Sequence, residues 1–165
     1  MTHAKEEAMN ARPILFATDG SPSALEAQHE AIELARLLDA PLLVVSVAHT
    51  VLPAVGYGAY GYSEVVAELT VAEHHRVDEL LATTTEAAEH AGVKCSTTRA
   101  DGFAVEEICR LAADQRARLI VVGSHGWGAA RRFLSGSIST GLVHSAPCPV
   151  LVVRTAASAE ERAAA

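Results

Sequence analysis

The sequence predicts an α/β fold built on a parallel sheet, and three observations carry that reading. Four short apolar runs, Ile14 to Ala17, Leu42 to Val47, Leu119 to Val122 and Val150 to Val153, lack the polar alternation of a half-exposed strand. Strands covered on both faces look like this. Between them lie longer stretches whose apolar residues recur at helical spacing, so strand and helix alternate along the chain. Finally, half of the 165 residues are hydrophobic but only 4% are aromatic, which leaves Val, Leu, Ile and Ala to build the core. Helices laid on a parallel sheet have that composition. The length suits one domain with a respectable core, since chains of about this size bury roughly two-thirds of their unfolded surface.

Pro13 to Thr18 is predicted as the first strand, delivering the chain to Asp19-Gly20. Ser21-Pro22-Ser23 then offers a helix cap, a proline suited to the first turn, and Ser23 with Glu26 as a capping box. Ala24, Ala27, Ala31, Leu34, Ala35 and Leu38 fall on one stripe of the helix that follows, with Glu26, Glu30 and Glu33 facing water. Leu42 to Val47 is the second strand, and a strand, helix, strand order with short links implies a right-handed parallel crossover.

Ala48 to Ser63 holds Pro53, three glycines and all three tyrosines, and reads as a long mobile loop. A second, long helix follows, with Val66, Leu69, Val77, Leu80, Leu81, Thr84, Ala87, Ala88 and Ala91 as its buried stripe and Gly92 as a left-handed cap. Val93 to Arg99 alternates enough to be an edge strand whose Lys94, Ser96 and Thr98 are wetted, with Asp101-Gly102 as the turn. Val105, Ile108, Cys109 and Ala112 mark a third helix leading to the strand that stops at Gly123. Ser137 opens a last helix, Ile138 to Ser145, which Pro147 and Pro149 prevent from running on into the final strand, Pro149 to Val153. The count is five strands and four helices in alternation.

A strand feeding glycines that end at a helix start is a plausible phosphate cradle. Gly123, Gly126 and Gly136-Ser137 stand in the arrangement G-x2-G-x9-G-S. Glycine lets main chain approach a ligand with no Cβ in the way, and a helix N-terminus supplies unpaired N–H donors and partial positive charge.

The net charge of −7 argues against nucleic acid or anionic lipid as a partner held by bare electrostatic attraction. No apolar run approaches the roughly 20 residues of a membrane span, and the opening MTHAKEEAMNA lacks the apolar core of a secretory signal, so a cytoplasmic protein is expected. Cys95, Cys109 and Cys148 are odd in number and far apart, and are expected to be buried free thiols.

The glycine spacing resembles the nucleotide-binding signature of the universal stress protein family and meets it at every fixed position. The resemblance also takes in Pro13 to Asp19 and the ending HSAPCPVLVVR, nearly the whole chain apart from its tails. It implies one Rossmann-like domain of the adenine nucleotide alpha hydrolase-like kind over residues 12–155, between flexible tails at 1–11 and 156–165. The implied sheet has five parallel strands in the order 3-2-1-4-5 with four helices, and ligands then sit at the carboxyl ends of strands one and four, where the winding reverses. Residue by residue, the resemblance gives Ala17, Thr18 and Asp19 the nucleoside side and Val47 a backbone contact to adenine. Val122 to Gly126, with Gly123 and His125, would form the loop around ribose and phosphates, and Gly136, Ser137, Ile138 and Ser139 the phosphate cradle.

Asp19 then binds ribose hydroxyls or a phosphate-bound Mg²⁺, or it merely caps the next helix. Mg²⁺ is held mainly through the phosphates of ATP. The implied function is an ATP-binding, nucleotide-responsive stress or signalling factor, a homodimer through strand 150–153. The alternatives are a weak ATPase or phosphotransferase, or an interaction module of the same fold that holds no nucleotide. Turnover should be slow at most: the sequence supplies no lysine after the glycines, no evident general base and no kinase catalytic loop.

Other candidates read more blandly. Gly56 to Gly61 spells G-x-G-x-x-G but does not link a strand to a helix, so it is taken as a flexible lid. His74 and His75 point to different sides of one helix with no carboxylate or cysteine to complete a metal site, and a solvated face is expected. His125 has no visible Ser or Cys partner for base catalysis. Arg131 and Arg132 could screen phosphate charge or simply be solvated, and Trp127 is read as a packing or interface residue.

Overall fold

Residues 12–48, 62–124 and 137–154 are described by the computed structural model. Among them run β1 (Ile14–Ala17), α1 (Pro22–Leu37), β2 (Leu42–Ala48), α2 (Tyr62–His90), β3 (Cys95–Asp101), α3 (Ala104–Asp114), β4 (Leu119–Gly123), α4 (Ser137–Ser145) and β5 (Val150–Val153). The strands form one parallel sheet in the order β3-β2-β1-β4-β5, as the family resemblance implied. The chain therefore starts at the centre, winds outward to β3, returns to β4 and winds out to β5. Its direction reverses between β1 and β4.

Period-two geometry sends alternate residues to opposite faces, and here both faces are covered. Ile14, Phe16, Leu42, Val44 and Val121 pack with the alanine stripe of α1 and with Val77, Leu81 and Ala88 of α2. Leu15, Ala17, Leu43, Val45, Ile120 and Val122 pack with Ile108, Leu111 and Ala112 of α3 and Leu142 of α4. Double coverage is why the central strands read as unbroken apolar runs.

Several local expectations need correction. Ser21 caps α1 as expected, its hydroxyl accepting from the Ala24 N–H at 3.3 Å, but Ser23 lies buried inside the helix, so the expected box with Glu26 does not form. Pro22 at the first helical position sets the start earlier. β3 runs Cys95–Asp101 rather than Val93 to Arg99, and Asp101 pairs with Ala48, leaving the turn to Gly102. Val93 and Lys94 are taken up by the exit from α2: Gly92, at φ 76°, and Val93 donate back to Glu89 and Ala88.

The expected stripe on α2 holds for Val77, Leu81, Thr84 and Ala88, but Leu69 is 50% exposed. The reason is length. A helix of 29 residues spans about 43 Å whereas a strand of seven spans about 23 Å, so α2 outruns the sheet it covers. Leu38, likewise placed on the α1 stripe, is exposed just past that helix. The loop expected at 48–63 falls, from residue 49 to 61, outside the described residues, and so does its glycine motif. No helix among the described residues is long and apolar enough to cross a membrane.

Candidate functional site

The register brings the carboxyl ends of three strands level. Ala17 pairs with Val45 on one side and with Val122 on the other. Ala17, Thr18 and Val122 are buried, and Asp19 emerges half-buried two residues on. The Thr18 N–H still donates to the Val45 carbonyl at 2.9 Å. In a parallel strand alternate residues turn both peptide groups to the same neighbour, so Val47 directs its N–H and C=O toward the β1 side, past the last paired residue. That orientation suits a main-chain contact to a planar ring in the crevice. Across the crevice β4 stays in the sheet one residue past Gly123, where the Ser124 N–H donates to the Val153 carbonyl at 2.8 Å.

The turn from β1 into α1 is held by its own side chains. Thr18 Oγ1 accepts from the Gly20 N–H at 3.2 Å, and Asp19 Oδ1 accepts from the Ser21 N–H at 2.9 Å. Gly20 sits at φ 77°, in the left-handed region that L residues resist. The Asp19 carboxylate thus braces the turn just ahead of the helix, while the cap itself is Ser21.

A second helix reaches this turn, and sequence reasoning missed it. Arg76 of α2 donates from Nη1 to the Asp19 main-chain carbonyl at 3.3 Å, while its Nε and Nη2 bind both oxygens of Glu73 at 2.9 and 2.8 Å. The hydrogen bond to Glu73 is the main cause that holds the guanidinium above its usual pKa; burial opposes it, and the Glu73 and Asp19 charges add to it. Leu80, one turn on, packs over Gly20. Asp19, Gly20, Arg76, Glu79, Leu80 and Thr83 line an open groove here, on the α2 side of Asp19 rather than in the crevice between β1 and β4. The only sequence signal was Glu73 and Arg76 three residues apart, which reads as a solvated helix pair.

At its carboxyl end β4 closes at Gly123 against the start of α1. A Cβ there would lie 2.6 Å from Ser23 Oγ and 2.7 Å from its carbonyl carbon, so packing alone requires glycine. Ser137 opens α4, Ile138 is half-buried against the α3/α4 face, and Ser139 is buried. His125, Gly126 and Gly136 lie outside the described residues, as do Trp127, Arg131 and Arg132.

Two side readings change. His74 does have a carboxylate neighbour, Asp101 at 2.9 Å from Nε2, supplied by β3 rather than by its own helix. Among the described residues no third His, Cys, Asp or Glu joins them to hold a metal. The three cysteines are free but half-buried instead of buried, and desolvation is the largest cause raising each thiol pKa.

Comparison with known proteins gives this geometry a setting. The Universal stress protein family matches residues 10–154 of the chain. A universal stress protein of Methanocaldococcus jannaschii is 37% identical over 143 residues, which cover 87% of this chain and 82% of the relative. Among solved structures, the universal stress protein UspA from Lactobacillus plantarum is similar with a TM-score of 0.76 at 25% identity, over 88% of this chain and 99% of that one. A family protein from Arabidopsis thaliana with AMP bound shares the fold, with a TM-score of 0.60 at 20% identity over 89% and 94% of the two chains.

Proposed function

The chain belongs to the universal stress protein family, and from that premise we propose that it binds an adenine nucleotide, ATP with Mg²⁺, in the crevice where β1 and β4 part. The observation that carries this reading is the register. Ala17 lies level with both Val45 and Val122, so residues 17–19, the Val47 peptide and the carboxyl end of β4 come to one switch point, the place where ligands sit in such sheets.

The residues present fit such a ligand. The Val47 peptide groups turn to the β1 side, an orientation that suits an adenine edge, and the half-buried Asp19 carboxylate is the group we assign to the ribose hydroxyls. Ser137 to Ser139 form the first turn of α4, whose N–H groups suit phosphate oxygens. In the sequence motif Gly126 and Gly136 carry no Cβ to block a phosphate, and His125 stands between its first two glycines. Mg²⁺ offsets phosphate charge when ATP is bound and is held mainly through the phosphates.

The protein works as a cytoplasmic, nucleotide-responsive stress or signalling factor, dimeric through Val150 to Val153. Its turnover of ATP is slow or nil, because the glycine motif is followed by Ser137 and Ile138 instead of the lysine that steadies a transferring phosphoryl group. The test is mass spectrometry of nucleotide released from the purified protein, followed by calorimetry with ATP, ADP and AMP in Mg²⁺. Saturable ATP binding, weakened in Asp19→Ala, is the expected result. A native protein that releases no nucleotide and takes up none contradicts the proposal.

A further inference from the structure

Resting on the nucleotide reading above, we propose that Arg76 is a positioning residue for that site: from α2 it latches the turn that presents Asp19 to the ligand. An i,i+3 pair on a helix surface is ordinarily worth little. Here the pair has a third member. Glu73 takes Nε and Nη2 together, which fixes the plane of the guanidinium, and the remaining Nη1 is thereby directed at the Asp19 carbonyl, 57 positions away in sequence. Short-range bonds shape the turn around Gly20, a residue type that adopts many conformations, so a contact from another helix adds a constraint on it.

The latch continues down the same face of α2. Leu80 covers Gly20, and Thr84 Oγ1 meets Gln28 Oε1 of α1 at 3.3 Å. Arg76, Leu80 and Thr84 are spaced i, i+4, i+8, so a single helix stripe sets the height and tilt of the turn and of the helix that follows it. Charge points the same way. Asp19, Arg76 and Glu79 line the groove and Glu73 grips the arginine, so removing Arg76 takes one positive charge from an acidic neighbourhood beside a site proposed to take phosphates.

The experiment compares Arg76→Ala, Arg76→Lys and the control Arg110→Ala in the full chain. Arg110 makes the same kind of helix-surface pair, with Glu107 and Asp114, but on α3 and away from the turn. Amide hydrogen exchange of Gly20 and Ser21 is read without nucleotide, and ATP affinity by calorimetry. Arg76→Ala should speed exchange at the turn and weaken ATP by about tenfold, the scale of one charge-assisted hydrogen bond. Arg76→Lys, which keeps the charge but cannot grip Glu73 with two donors while reaching Asp19, should recover only part of that affinity. Arg110→Ala should change neither reading.

Unchanged exchange or unchanged ATP affinity in Arg76→Ala overturns the proposal, as does an equal loss in Arg110→Ala. Should Arg76→Ala fail to fold, Glu73→Gln carries the same expectation, because it breaks the two-pronged grip that aims Nη1. A native protein that binds no adenine nucleotide sinks the functional reading and this inference together. That outcome is seen in the native titration alone, before any variant is compared.

Discussion

At Gly123 the backbone of β4 passes so close to Ser23 that no side chain fits between them. Gly123→Ala should therefore cost about 1–3 kcal/mol, the usual range for overpacking a tight site, read as a lower urea midpoint with an unchanged slope. An unchanged midpoint would mean that the two elements part easily. The sequence analysis read this glycine as leaving room for a ligand, whereas the structure sets a tertiary neighbour, Ser23, against it. Ser23 is a hundred positions away, and no local pattern announces a tertiary neighbour.

The cysteines give a second expectation at this scale. Burial raises each thiol pKa, so the native protein keeps protons that the unfolded chain gives up in the ordinary thiol range. The resulting stability is complete below that range and is lost as pH climbs through the raised native values. Alkylation near neutral pH should be markedly slower in the folded protein than in urea, and the thiol contribution should lower the urea midpoint as pH climbs above the ordinary thiol range. Equal alkylation rates in both states would show that the thiols are not shielded.

Among the elements, β5 stands out because it is an edge. Val150, Leu151, Val152 and Val153 are all half-buried against β4 and the two helical layers, with no charged residue among them to guard the open side. Light scattering at micromolar concentration should give a dimer, and Leu151→Lys should yield a monomer. A native monomer contradicts a dimer through this strand. Because Leu151 also packs on the α1/α2 face, thermal unfolding of the variant monomer separates lost association from lost core packing.

The strands were readable because coverage on both faces leaves a run that needs no partner information to be recognised. The reach of α2 was not. Its apolar periodicity takes in Val66 and Leu69, yet Val66 is half-buried, Leu69 is exposed and full burial begins only at Val77, because what covers a helix face is a property of other segments. The start of β3 slipped for a similar reason: the glycine exit from α2 uses the next two residues before the ladder begins.

For the whole molecule, alternation of strand and helix gave the α/β class, and the order β3-β2-β1-β4-β5 came from the family resemblance. Topology then does what no single segment can, setting Ala17 level with Val122 although they are far apart in the chain. Ala17 to Asp19 and Val47 were named from the family resemblance, and the register shows only that these strand ends stand beside the end of β4. The Arg76 contact with Asp19 was hidden because it joins two elements whose relative tilt depends on the packing of the entire upper layer.

The central claim is that an adenine nucleotide occupies the switch point at the carboxyl ends of β1 and β4. Its most direct test is an amide NMR titration of the uniformly labelled full chain with ATP and Mg²⁺. The account predicts saturable shifts at Thr18 to Ser21, Val47, Gly123, Ser124 and Ser137 to Ser139, while Lys94, Arg116 and Leu119, at the opposite end of the sheet, stay in place. Saturating ATP that moves none of the first group, or that moves only the second, would contradict it.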